Sequence, residues 1–149
     1  MLNFFNRNAG AIQALSAALT VVLALVALLG VKFQIDASER IQRTQSARDI
    51  YREFLNLSIS RPEFAKPNYC AISGTAQEPA YETYVEYLLY TADQTIAVDP
   101  TWETVFFSTL RDHTQYVCTL EDLSDYSEDV QNLINRFHTK HCADIQPCG

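Results

Sequence analysis

Glycine is scarce in this sequence: four residues in 149, with five prolines and one tryptophan. So few glycines leave no Gly-rich loop that could cradle a phosphate, and no dinucleotide or P-loop signature occurs. No Asn-Gly or Asp-Gly pair is present, and no segment alternates apolar and polar residues over a useful length. The usual marks of hairpins and half-buried strands are therefore missing. A nucleophile elbow, an H-E-x-x-H helix and a haem-attachment motif are absent too. The expectation is an all-α protein that is not an enzyme and carries no cofactor.

Charge is absent from one long stretch. From Asn8 to Val31, twenty-four residues, no side chain is ionisable. At helical rise they span about 36 Å, enough to cross a hydrocarbon core with some tilt. A cleaved signal peptide would have a shorter apolar run, a more basic start and a small-x-small cleavage site. Here Arg7 is the one basic residue before the run, and GVKFQIDASER follows it without an A-x-A. An uncleaved single-pass anchor is expected.

The remaining charge is unevenly shared. Residues 1–66 hold eight Lys/Arg and five Asp/Glu, a net of +3; residues 67–149 hold three and thirteen, a net of −10. So acidic a half repels a nucleic-acid backbone, and binding of long DNA or RNA is not expected. Lys32, Arg40 and Arg43 flank the anchor on its C-terminal side, where they would meet lipid head groups. Counting Lys and Arg on the two sides, the positive-inside rule puts the larger part in the cytoplasm. Four cysteines, an even count, pull the other way.

The expected order is an N-terminal tail (1–8), a transmembrane helix (9–31), a polar helical stalk (32–46) and a small helical-bundle domain (47–149). From Gln34 to Ser46 only Ile35, Ala37 and Ile41 are apolar, too few for a core face. Ala47, Ile50, Tyr51, Phe54 and Leu57 then resume helical spacing. Ser60 with Glu63 and Thr75 with Glu78 read as capping boxes; one short helix is expected at the first, with Pro62 in its first turn, and the stretch between as a loop packed by Phe64, Tyr69 and Ile72. Three helices are expected beyond it: 80–98, then 100 to about 120 behind an Asp99-Pro100 start, and one capped by Ser127. Their apolar stripes hold Tyr81, Tyr84, Val85 and Leu88; then Trp102, Val105, Phe106, Leu110, His113 and Val117; then Val130, Leu133, Ile134 and Phe137.

Few motifs carry chemistry. In the anchor, Gly10, Ala14 and Ala18 recur every fourth residue, as do Ser16, Thr20 and Ala24. Small residues at that spacing let helices approach closely in lipid, so these are the candidate oligomerisation positions. Tyr87 and Tyr90 rotate off the core stripe and are candidates for an interface. At the C-terminal end, His138, His141 and Cys142 share a helix face, and Cys148 could return as a fourth zinc ligand. The spacing is not a standard zinc pattern. A Cys142–Cys148 bridge with a Cys70–Cys118 bridge is the oxidised alternative, and plain packing of two histidines on an apolar stripe is the third. His113 reads as a buried imidazole satisfied by a carbonyl or a Tyr hydroxyl. The acidic turn at Glu121, Asp122, Asp125, Glu128 and Asp129 lacks EF-hand spacing and reads as a solvated turn.

ARDIYREFLNLSISRPEFAKPNY, YETYVEYLLYTADQ, W-x-x-V-F-F-x-x-L-R-D-H and DYSEDVQNLI together resemble an arrangement found in uncharacterised bacterial single-pass membrane proteins. The resemblance covers about residues 9–137 and implies one anchor with a small helical domain. It brings no activity with it, and Cys118, Cys142 and Cys148 stand outside its pattern. The functional expectation is a membrane-anchored assembly module that meets lipid and either oligomerises or docks a membrane-protein partner. The alternatives are a ligand-gated effector binding a small, nucleotide-like signal and an accessory subunit of a larger complex.

Overall fold

A computed structural model describes residues 2–145 and 148, and only the backbone of residues 2–12 and 14. Among the described residues the protein is helical without strands. The chain divides into two compact units, Met1–Gln42 and Arg43–Gly149.

The first unit is part of one long helix, α1, Leu2–Ser60. No proline interrupts α1 anywhere, and no glycine follows Gly30 in it, so nothing in the sequence stops the helix before its end. It is long and apolar enough to cross a membrane. Every residue from Leu15 to Val31 is exposed; Leu15 and Leu28 keep 74% and 67% of their surface. Ser16 Oγ donates to the Gln13 carbonyl at 2.9 Å and Thr20 Oγ1 to the Ser16 carbonyl at 2.9 Å. Both hydroxyl protons are thus satisfied inside the helix, as an apolar solvent requires.

The second unit takes in the end of α1. Ser60 is its last residue because Arg61 precedes Pro62 and is forced out of the α region, to φ −130° and ψ 63°. Two single-turn helices follow, α2 (Pro62–Ala65) and α3 (Tyr69–Ile72). Gly74, at φ +76°, makes the left-handed turn that leads to α4, Glu78–Ile96. Asp99 accepts from the Thr101 N–H at 2.9 Å and opens a 3₁₀ turn, Pro100–Trp102, that runs into α5, Glu103–Leu110. A second 3₁₀ turn, Arg111–His113, leads to α6, Thr114–Val117. After the exposed acidic turn, Ser127 caps α7, Glu128–His141.

The core draws one stripe from each long helix. Ala47 and Phe54 of α1, Tyr81, Val85, Leu88 and Ala92 of α4, and Val130, Leu133, Ile134 and Phe137 of α7 are all buried. Phe106, Leu110 and Val117 close the fourth side.

Three expectations change. The helix expected over 100–120 is broken into 3₁₀ and α pieces, so its stripe does not hold throughout, and Val105 is 37% exposed. The short helix expected behind Ser60 is α2, with Phe64 and Ile72 buried as expected, but the stretch expected as a loop holds a second helical turn, α3. Ser60 caps nothing: its hydroxyl donates back to the Asn56 carbonyl at 2.8 Å. Thr75 does not cap α4 either, since Gln77 precedes its first residue; Glu78 reaches back past it to the Gly74 N–H at 2.8 Å and the Ser73 hydroxyl at 2.9 Å. Those two donors, the backbone one first, hold its carboxyl below the usual range.

Candidate functional site

The polar centre of the core joins α1, α4 and the 3₁₀ turn at His113. Tyr81 Oη lies 3.0 Å from His113 Nδ1, and both residues are buried. Whichever atom carries that proton, His113 Nε2 has no partner. Burial lowers the His113 pKa to about 4, outweighing the opposing pull of Asp112. The imidazole is therefore neutral near pH 7. Burial also raises the Tyr81 hydroxyl and pushes Tyr116 up to about 12. Tyr84 also packs against His113, at a ring separation of 5.7 Å, with its hydroxyl 2.6 Å from Ser58 Oγ. Because Ser58 gives its own proton to the Phe54 carbonyl, Tyr84 is the donor in that pair. This is a packed polar core; Cys118, five residues from His113, is bridged to Cys142 and is not a free thiol.

The C-terminal cluster is dispersed into structural bonds. His138 Nε2–H donates to the Val117 carbonyl at 2.8 Å, which fixes its tautomer and occupies that nitrogen. His141 lies against Phe137 and Phe107, at 4.8 and 5.6 Å between rings. Its Nε2 is buried without a partner. All four cysteines are paired, but not in the combination read from the sequence. Cys118 bridges to Cys142 with Cα atoms 5.5 Å apart, and Cys70 to Cys148 with Cα atoms 5.1 Å apart. Geometry explains the exchange. His138 holds the end of α6 across α7, and one turn later Cys142 comes round to face Cys118. Cys148 is then left to reach α3. Among the described residues no group of three or more His, Cys, Asp or Glu side chains could hold a metal.

Other candidate positions lie apart from these. Ser16, Ala18, Thr20 and Ala24 are exposed on α1, while Gly10 and Ala14 are described only by their backbone. Lys32, Arg40 and Arg43 are also exposed on α1. Tyr87 is half-buried and stacks on Tyr90 at 6.3 Å and 23°; Tyr90 keeps 52% of its surface.

Sequence reasoning passed over one further place. Arg136 and Lys140 of α7 line a groove over the Phe107 ring, and Arg136 is ion-paired with Glu103. The signal was available: these are two of only three cations in residues 67–149, one helical turn apart.

Comparison with protein-family profiles, with curated proteins and with solved structures gives no match.

Proposed function

We propose that this chain is a membrane-anchored assembly module, held by α1 in a bacterial inner membrane and self-associating through its helical unit. The observation that carries this reading is apolar surface left open where the unit has water around it. Leu55 and Ile59 lie one turn apart on α1, away from the face that gives Ala47 and Phe54 to the core, and are 41% and 78% exposed. The occupant proposed for that face is a second copy of this chain. Arg48 and Arg52 stand seven residues before Leu55 and Ile59 and so share their side of the helix. They complement the net −10 that residues 67–149 of another copy would present.

The two disulfides support placing the unit on the outer, oxidising side of the membrane. Such bridges are rare where glutathione keeps thiols reduced. The Lys/Arg excess after the anchor favours the cytoplasm; in this reading two closed bridges, one joining residues 78 apart in sequence, outweigh a difference of a few cations.

Gentle detergent extraction followed by native mass spectrometry tests assembly. Dimers or higher species should appear and should be depleted by Leu55→Glu with Ile59→Glu; a strictly monomeric wild-type chain would end the reading. Unrelated chains in stoichiometric amount would point to the accessory-subunit alternative. Orientation is read separately. A protease added outside intact cells should cut the helical unit if it faces out and spare it if it faces the cytoplasm. A ligand-responsive effector is the second reading, and the cationic groove over Phe107 is the observation that favours it.

A further inference from the structure

Between α5 and α7 lies an open groove of about 680 Å³, a size typical of small-molecule sites. Its floor is the half-buried Phe107 ring; Arg136 and Lys140 stand on the α7 side and Glu103 on the α5 side. These three are its ionised lining residues, two cations less one anion, a net of +1. That is a local reversal of sign in a stretch of net −10. Glu103 occupies one nitrogen of the Arg136 guanidinium, Nη1, and leaves the other edge of the fork open. Lys140 Nζ rests 5.4 Å from the centre of the Phe107 ring, and among the described residues it has no carboxylate partner. The hydroxyls of Thr104 and Thr139 give their protons to backbone carbonyls, so they add no donor to the groove. Charge recognition here falls to the two cations.

We propose that this groove binds a small organic carboxylate with a flat apolar body. The body lies on Phe107, displacing the Lys140 ammonium on its flexible stem. The carboxylate then sits between Lys140 Nζ and the open edge of Arg136, whose planar fork matches its two oxygens. An aromatic floor with two cations at its rim discriminates by shape as well as charge. Inorganic phosphate has no face to stack, and a cationic ring has the wrong sign. Binding here does not depend on self-association, and a monomeric chain would still bind.

The test is a benzoate titration of the isotopically labelled full chain in detergent micelles, followed through amide resonances. Benzylammonium and inorganic phosphate are the controls. Benzoate should give saturable shifts centred on Phe107, Arg136 and Lys140, and each control should give none. Lys140→Gln and Arg136→Gln should each weaken benzoate about tenfold, the value of one charge-assisted contact. Glu103→Gln should tighten binding about threefold by freeing Arg136. Arg136 and Lys140 are exposed and Glu103 is half-buried at the rim, so melting temperatures should stay within a few degrees of wild type and any change in affinity reads the site. No saturable benzoate shift, phosphate binding as tight as benzoate, or equal affinity in all three variants would overturn the proposal.

Discussion

Helix α1 meets two environments along one unbroken run of hydrogen bonds, and the two stretches invert each other. Over residues 15–31 the apolar side chains point out on every side; Leu15, Leu19 and Leu28 keep 60% or more of their surface. Over residues 47–57 they gather on one inward stripe, with Ala47 and Phe54 at 3% exposure, and only Leu55 faces out, at 41%. Helical propensity does not separate the two stretches, since neither contains proline and each reads as helix. Placement of the apolar residues does. An all-round apolar helix needs lipid or a protein interior on every side, whereas a striped one needs a core along one face. The same leucine or phenylalanine should therefore be worth quite different amounts in the two places.

The largest expected effect follows directly. Phe54→Ala should destabilise the helical unit by about 3–5 kcal/mol, the range for deleting a buried aromatic side chain. Leu23→Ala, in the exposed stretch, should leave that unit's stability within about 0.5 kcal/mol. Both can be read from urea unfolding of the full chain in micelles, followed by near-ultraviolet circular dichroism. Equal losses would break the comparison, because unfolding of the unit would then depend on contacts made by the apolar stretch.

The disulfides sharpen it. Both lie in the second unit, and Cys118–Cys142 closes a loop with a sequence separation of 24. Replacing both cysteines by alanine should cost about 3 kcal/mol through the greater freedom of the unfolded chain. The helicity of residues 15–31, which contain no cysteine, should not change. Hydrogen exchange can follow the two stretches side by side. A variant that loses protection in both would show them to be cooperatively coupled.

Acid should act just as selectively. His113 is 2% exposed, and its folded-state pKa of about 4 lies below the ordinary value of 6.5. Between those values the unfolded chain binds the proton and the folded chain does not. Stability of the unit therefore falls as pH drops through that window, by about 3 kcal/mol in total, and it levels off below the lower value. Unfolding free energies measured from pH 7 to pH 4 should show this slope, and His113→Gln should remove most of it. Residues 15–31 contain no titratable side chain, so their helicity should be flat over the same range.

How much of this could be read from the sequence depended on whether the cause was periodic. The anchor's uncharged run, the α4 stripe and the buried positions of α7 follow from spacing alone and lie where spacing puts them. The break at Arg111–His113 does not, because it accompanies the tertiary bond between His113 and Tyr81. Cysteine partners were equally hidden. They depend on where α6 ends against α7, which the His138–Val117 bond sets and no local pattern records. The groove lay between: its two cations are a helical pair visible in the sequence, but the ring beneath them comes from α5.

The smallest effect tests two serines that look alike in the sequence. Each precedes a helical stretch, and each reads as a cap. Ser127 Oγ accepts from the Val130 N–H at 3.4 Å and so holds the start of α7. Ser60 Oγ instead gives its proton to the Asn56 carbonyl of the helix it ends, because Pro62 turns the chain before a cap can close. Ser127→Ala should cost about 1 kcal/mol or somewhat less, as the bond is long, whereas Ser60→Ala should be close to neutral. Chemical denaturation of the two variants in parallel measures the difference. A cost at Ser60 equal to that at Ser127 would mean that the serine serves α2 after all, and that the last turn of α1 owes its stability to a bond other than its own.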